Sequence, residues 1–227
     1  MRTVESLVLL SGGVDSSTCL ALAVNRHGAD EVQAVSFRYG QKHEIEVDHA
    51  GAVATHFGAW HRIVDVPDIF AGSSSSLLKG RPDGPEVPYA SLPEGESPAY
   101  VPYRNGVFLS LSAAIALSAG ATELYFGAHS EDAARWAYPD CTPEFVGSMA
   151  SALFVGSGLK LRLITPLQWM TKTDVVRLGA SLNVPFELTT SCYSGAEPAC
   201  GVCPTCRSRL DAFATAGLRD PISYAEV

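Results

Sequence analysis

Two short strings hold residue types whose spacing can do chemistry. The first is Ser11-Gly-Gly-Val-Asp-Ser-Ser17, directly after the apolar run Leu7-Val-Leu-Leu10 and directly before a helix-forming stretch. A glycine-rich turn between a strand and a helix presents successive backbone N–H groups at the carboxyl edge of a sheet. The helix N-terminus adds partial positive charge, so an anion binds there without a lysine. Gly12 and Gly13 let a phosphate approach the backbone. Ser11, Ser16 and Ser17 offer hydroxyls, and Leu10 and Val14 flank the turn. Asp15 either orients the loop or helps to hold Mg2+. The plain alternative is an ordinary strand-to-helix turn, since Gly and Ser are common turn residues. The string lacks the Gly-Lys-Ser/Thr of a Walker loop and is not the G-x-G-x-x-G of dinucleotide folds.

The second string is Cys192-x7-Cys200-x2-Cys203-x2-Cys206, four of the six cysteines within fifteen residues. Four soft sulfurs at this spacing suit tetrahedral Zn2+, and a closed four-cysteine set leaves no open position for catalysis. A structural role follows: closing a C-terminal loop with little core of its own. An iron–sulfur cluster is the rival occupant, and unligated cysteines are the third possibility. Cys19 and Cys141 stand apart. Cys141 has no evident partner base and reads as a small buried thiol. The six histidines show no metal-ligand spacing.

These strings need a scaffold, and 227 residues suffice for one domain with a substantial core. Hydrophobic residues at 47% and charged residues at 18% exclude a disordered chain. The net charge of -8 and the absence of a basic tract argue against a direct grip on nucleic acid and for a small-molecule substrate. Glu5 interrupts any secretory apolar region, and residues 107–121 are too short and too rich in Ser and Ala to span a bilayer. A cytoplasmic protein without membrane contact is expected.

Short apolar β-rich runs alternate with helix-length amphipathic segments. Strands are expected at 7–10, 32–37, 61–66, 124–128 and 161–164, and helices at 16–27, 43–57, 104–119, 143–155, 173–182 and 207–216. The pattern implies an α/β fold, doubly wound on a mostly parallel sheet covered on both faces. The ATP-binding part is expected over residues 1–188 and a small zinc-binding segment over 189–227. Residues 68–101, with four consecutive serines and Pro82, Pro85, Pro88, Pro93 and Pro98, form a long loop of the kind used as a lid or binding element.

The phosphate-loop string resembles the PP-loop of the ATP pyrophosphatase superfamily, the adenine nucleotide α-hydrolase-like group. Its members bind the pyrophosphate part of ATP and transfer AMP to a carbonyl or carboxylate oxygen. Further strings together resemble the 7-cyano-7-deazaguanine synthase family, QueC. They are Phe37-Arg-Tyr-Gly-Gln-Lys-His43, Val101-Pro-Tyr-Arg-Asn105, Tyr138-Pro-Asp-Cys-Thr-Pro-Glu-Phe145, Thr165-Pro-Leu167 with Lys172, and Ser191-Cys-Tyr193. The resemblance runs from residue 7 to about 213. It implies ATP- and Mg2+-dependent conversion of 7-carboxy-7-deazaguanine and ammonia to the nitrile, one structural zinc, and a homodimer. Related PP-loop enzymes acting on tRNA or a carrier, and a non-catalytic zinc-stabilised nucleotide-binding module, are the alternatives.

With that chemistry in view, Asp15, Ser16, Lys172 and Arg104 are the catalytic candidates. Arg104 suits a carboxylate or phosphate and Asn105 a purine-like edge, or the pair is a helix start with a surface arginine. Asp132, Tyr138 and Asp140 can read ring and amino N–H groups, or they are turn residues around Pro139. Lys172 stabilises developing negative charge or caps a helix. Tyr39 and Gln41 follow the second strand at its carboxyl end, where ligands of open α/β sheets gather. Thr190 stands where the family often has an aromatic residue, and the stretch 130–137 is longer than in many members.

Overall fold

The computed structural model describes residues 3–66, 68–92, 94–129 and 131–225. Pro93 and Ser130, which fall in the two stretches singled out above, lie outside the described residues, as do the two residues at each terminus. The chain runs β1 (Ser6–Leu9), α1 (Val14–His27), β2 (Val32–Arg38), α2 (Ile45–His56), β3 (Trp60–Asp65), α3 (Arg104–Ser118), β4 (Glu123–Tyr125), α4 (Pro143–Gly156), β5 (Arg162–Ile164), α5 (Lys172–Ser181) and α6 (Pro204–Ala216). The five strands pair in parallel in the order β3-β2-β1-β4-β5.

Alternation along β1 explains why both faces must be covered. Leu7 packs into a core with Phe108, Leu109 and Leu161, on the side of α3 and α4. Val8 and Leu10 pack into a second core with Val14, Leu20, Val175 and Phe213, beneath α1, α5 and α6. A period of two across a fully buried strand yields this two-sided burial. The expected doubly wound α/β fold is observed.

Helix starts follow local chemistry. Thr142 caps α4 by accepting from Phe145 N, with Pro143 in the first turn. Thr171 and Asp174 form a reciprocal capping box on α5. β4 stops at Tyr125, short of the expected residue 128. Residues beyond it leave the sheet and enter the site.

The order of strands has a functional consequence. From β1 the chain winds outward through β2 and β3, then returns to lay β4 on the other side of β1. Ligands of open α/β sheets bind at the carboxyl ends of the strands where the winding reverses. That point lies between the loops after β1 and β4.

Residues 68–101 hold one short 3-10 turn, Tyr89–Ser91, and no strand or longer helix among the described residues. The segment is nonetheless anchored. Phe70, Leu77, Leu78 and Ala99 are buried in the first core. Lys42 N donates to Leu77 O at 2.8 Å and Lys79 N to Gly40 O at 2.9 Å. No helix among the described residues is long and apolar enough to cross a membrane.

Candidate active site

The loop after β1 is built to leave donors free. Gly13 caps α1 with extended backbone and no side-chain hydrogen bond to the helix, so the capping residue itself leaves the first-turn N–H groups open to an outside acceptor. Ser16 Oγ accepts from Ser11 N at 3.1 Å, lies 3.0 Å from Ser11 Oγ and donates to Gly13 O at 3.2 Å. The loop is thus closed by its own serines. Gly12 takes φ +81°, and a Cβ there would stand 2.3 Å from Glu46 O and 2.8 Å from Ala50 N. Only glycine fits between the loop and α2.

At the winding reversal, Gly127 brings the chain after β4 against α1, where a Cβ would lie 3.2 Å from the Asp15 carbonyl carbon. Four ionisable side chains then converge. Lys172 Nζ donates to both Asp15 oxygens, at 2.7 and 2.6 Å. His129 Nε2 lies 3.8 Å from Asp15 Oδ2 and 3.4 Å from Asp132 Oδ2. Burial alone would raise the Asp15 carboxyl, but the Lys172 ammonium and then His129 outweigh it and hold the group below its usual range. Asp132 goes the other way: burial, with Asp15 adding to it, pushes its carboxyl up against the pull of His129. Two neighbouring carboxylates whose environments split them in this manner mark a site able to hold charge and a proton side by side.

Across the same cavity of about 730 Å3 stands a second cation. Arg104, first residue of α3, donates from Nη1 to Tyr39 Oη at 2.8 Å. Burial pushes the Tyr39 phenol up to about 12, with the arginine opposing, so the phenol stays neutral. Asn105 N donates to Asp140 Oδ2 at 2.9 Å, and its Nδ2 reaches Asp140 O and Cys141 Sγ. Asp140 therefore receives the N-terminus of α3. Burial pushes the Cys141 thiol well up, consistent with an inert core sulfur.

Most sequence-selected residues meet in this cavity. Leu10, Ser11, Gly13, Asp15, Ser16, Lys172, Tyr39, Arg104, Asn105, Asp132 and Tyr138 line it. Gly12, Val14, Ser17, Gln41 and Asp140 stand behind its wall. Gln41 is fully buried, accepting from Tyr39 N at 2.8 Å while donating to Phe37 O and Glu46 Oε1. It braces the turn after β2.

Several lining residues escaped the sequence reading. His43 and Glu46 form an Nε2–Oε2 pair at 3.1 Å. The Tyr193 hydroxyl lies 2.7 Å from that of Tyr89 and 2.8 Å from that of Tyr138, so the long loop, the segment before α4 and the cysteine segment meet at three phenols. His43 and Tyr193 sat inside the quoted strings; weighing histidines by metal spacing alone passed over the first. Tyr89 carried no signal beyond its place in a long loop.

The four cysteine sulfurs lie within 4.8 Å of one another, Cys200 and Cys206 at 3.9 Å. Thiolates bound tetrahedrally at about 2.3 Å would stand about 3.8 Å apart, so the set fits a metal ion. Cys200 N and Cys203 N point at Cys192 Sγ and Cys200 Sγ, both at 3.4 Å, which supports sulfurs carrying negative charge.

The family model described as queuosine biosynthesis protein QueC matches residues 5–217. The 7-cyano-7-deazaguanine synthase of Thermoplasma acidophilum is 43% identical over 231 residues, covering 99% of this chain and 93% of that protein. The synthase of Oceanobacillus iheyensis is 39% identical over 223 residues, covering 97% and 98%. Among solved structures, NMN synthetase from Francisella tularensis aligns with TM-score 0.53 at 14% identity over 96% of this chain and 79% of that one. The U34-tRNA thiolase NcsA from Methanococcus maripaludis, solved with its [4Fe-4S] cluster, aligns with TM-score 0.51 at 16% identity over 100% and 80%. These two likenesses concern the fold. The match across residues 5–217 and the relatives aligned along nearly the whole chain establish that this protein belongs to the QueC family.

Proposed function

We propose that this chain is an ATP-dependent ligase that converts 7-carboxy-7-deazaguanine and ammonia to 7-cyano-7-deazaguanine. The observation that carries the reading is one cavity with an anion-binding loop on one wall and Arg104 on the other. A carboxylate is a poor electrophile, so the reaction needs it aligned with the α-phosphate of ATP. The loop donors and Lys172 receive the phosphates, and Arg104 receives the substrate carboxylate. Transfer of AMP then gives an acyl adenylate with a good leaving group, and ammonia gives the amide. Activation of the amide oxygen in the same place permits dehydration to the nitrile.

Asp132 and Tyr138 are the candidates for the N–H edge of the heterocycle, with Asp132, pushed toward its protonated form, able to accept or donate. Asn105 and Asp140 act by fixing the start of α3, and with it Arg104. Magnesium would be held by Asp15 with the nucleotide phosphates, the habit of an ion that takes one or two carboxylates; it supplies charge neutralisation at the phosphates. Zinc is the metal that best suits a closed four-thiolate set, and a reducing cytoplasm suits cysteines that are free of disulfides. A homodimer belongs to the same reading, and light scattering on the purified protein checks it. The net charge of -8 disfavours the tRNA-acting alternative.

Incubation of metal-loaded protein with 7-carboxy-7-deazaguanine, ATP, Mg2+ and ammonium should yield the amide and then the nitrile by mass spectrometry. Well-folded protein that makes neither would overturn the proposal.

A further inference from the structure

Ammonia at neutral pH is mostly ammonium, which has no lone pair to attack an acyl carbon. The cavity wall holds a histidine whose ring is fixed by a neighbouring acidic side chain. His43 is buried, 6% exposed, in the turn that leads from β2 to α2, and it lines the cavity. Its Nε2 is engaged by Glu46 Oε2 at 3.1 Å, while its Nδ1 is buried without a hydrogen-bond partner. A carboxylate on one ring nitrogen fixes the tautomer that leaves a lone pair on the other and stabilises the imidazolium once formed.

Glu46 is itself fixed. Its second oxygen accepts from Gln41 Nε2 at 3.2 Å, and Gln41 is locked to the backbone of Phe37 and Tyr39. On the far side, Gly195 of the cysteine segment presses on His43, where a Cβ would lie 2.8 Å from His43 Cα, and the Tyr193 ring lies 6.3 Å from the imidazole. Glu46 also bears electrostatically on Arg104 and Tyr39. His43, Glu46 and the arginine assigned to the substrate carboxylate line the same cavity.

Resting on the ligase activity proposed above, we infer that His43, oriented by Glu46, is the base for the amide-forming step. Ammonium gives one proton to His43 Nδ1, and the freed lone pair forms the C–N bond at the acyl carbon. The C–O bond to AMP breaks with its electron pair going to the AMP phosphate. The nitrogen sheds a second proton to that phosphate or to solvent, leaving the neutral amide.

The steps can be separated. Carboxylate-dependent exchange of labelled pyrophosphate into ATP reports adenylation alone, and amide release reports attack by nitrogen. In His43→Gln, amide formation from ammonium should fall by about 100-fold or more, with exchange within about 3-fold of the unmodified protein. Hydroxylamine, unprotonated at neutral pH, should form the hydroxamate in the variant at nearly the unmodified rate. A histidine that merely supports the wall would depress both nucleophiles equally. Glu46→Gln, which removes the charge and keeps one acceptor oxygen for His43 Nε2 while giving up the bond from Gln41, provides a second variant and should show a smaller loss of the same kind. Equal loss with ammonium and hydroxylamine, parallel loss of exchange, or unchanged amide formation would each overturn the role of His43 while leaving the ligase intact. Absence of exchange and product in the unmodified protein would remove the ligase reading, and this role with it.

Discussion

Lys172 and Asp15 are 157 positions apart, and the ammonium sits within 2.7 Å of both carboxylate oxygens. The pair does two jobs. It keeps Asp15 charged inside a buried wall, and it holds a cation beside the loop that receives phosphates. Lys172→Met should lower pyrophosphate exchange by about 100- to 1,000-fold, the usual cost of losing one preorganised donor. It should also move the acid limb of stability. Because the folded Asp15 pKa is depressed, its contribution is fully present above an unfolded value of about 3.9 and is lost as pH falls through the lower folded value. Without the ammonium, burial dominates and lifts the folded pKa above the unfolded value, so the sign reverses: Asp15 then costs stability near neutral pH, and the variant regains it as pH falls through the raised folded pKa. Thermal unfolding across pH 3 to 6 measures it. From sequence, Lys172 read equally well as a charge stabiliser or a helix cap. Nothing in linear spacing brings it to Asp15; the winding of α5 back onto α1 does.

At the scale of elements, the loop after β1 works because α2 leaves it no spare room. Replacing Gly12 by alanine puts a methyl against backbone atoms of Glu46 and Ala50 at a positive φ. Backbone cannot yield as a side-chain end can, so the loop must move. Gly12→Ala should cost about 2 kcal/mol or more, roughly 4–8 °C in Tm for a chain of this size, and lower pyrophosphate exchange even where the protein is folded. Calorimetry and the exchange assay read the two effects. The glycine loop was legible in sequence because strand, turn and helix are contiguous. So was the sheet: β1, β2 and β3 begin and end within two residues of their apolar runs. The packing of residues 68–101 was not legible. Phe70, Leu77 and Leu78 are spaced without a period, and their burial depends on backbone bonds to residues 40 and 42 that no local pattern encodes. Glu46 and His43 were hidden for a related reason: the helix around them reads as ordinary amphipathic sequence, and only tertiary placement turns that face toward the cavity.

For the whole molecule, the cysteine cluster was read as a staple for the far end of the chain, but its contacts reach the chemistry. Thr190 N donates to Gly12 O at 3.0 Å, inside the phosphate loop. His49 of α2 bonds Leu188 O and Glu197, one residue before Pro198. Tyr193, next to Cys192, closes the phenol cluster with Tyr89 of the long loop and Tyr138. α6, which carries Cys206, is held by Arg209, fully buried and bonded to Thr189, Phe186 and Asp220. A metal ion held by the four sulfurs would therefore fix three approaches to one cavity at once. Without it the four thiols would have no common partner, and the segment 190–203, which lacks regular structure, would lose its tether. Metal analysis should return about one ion per chain. Chelation, or Cys203→Ser, should lower stability by at least about 3 kcal/mol, roughly 6–12 °C in Tm. It should also weaken carboxylate-dependent pyrophosphate exchange below the melting temperature, because Tyr193 and Thr190 no longer hold their partners. A metal-free protein that melts lower yet exchanges pyrophosphate at the original rate would confine the cluster to stability and break the link between the two ends of the chain.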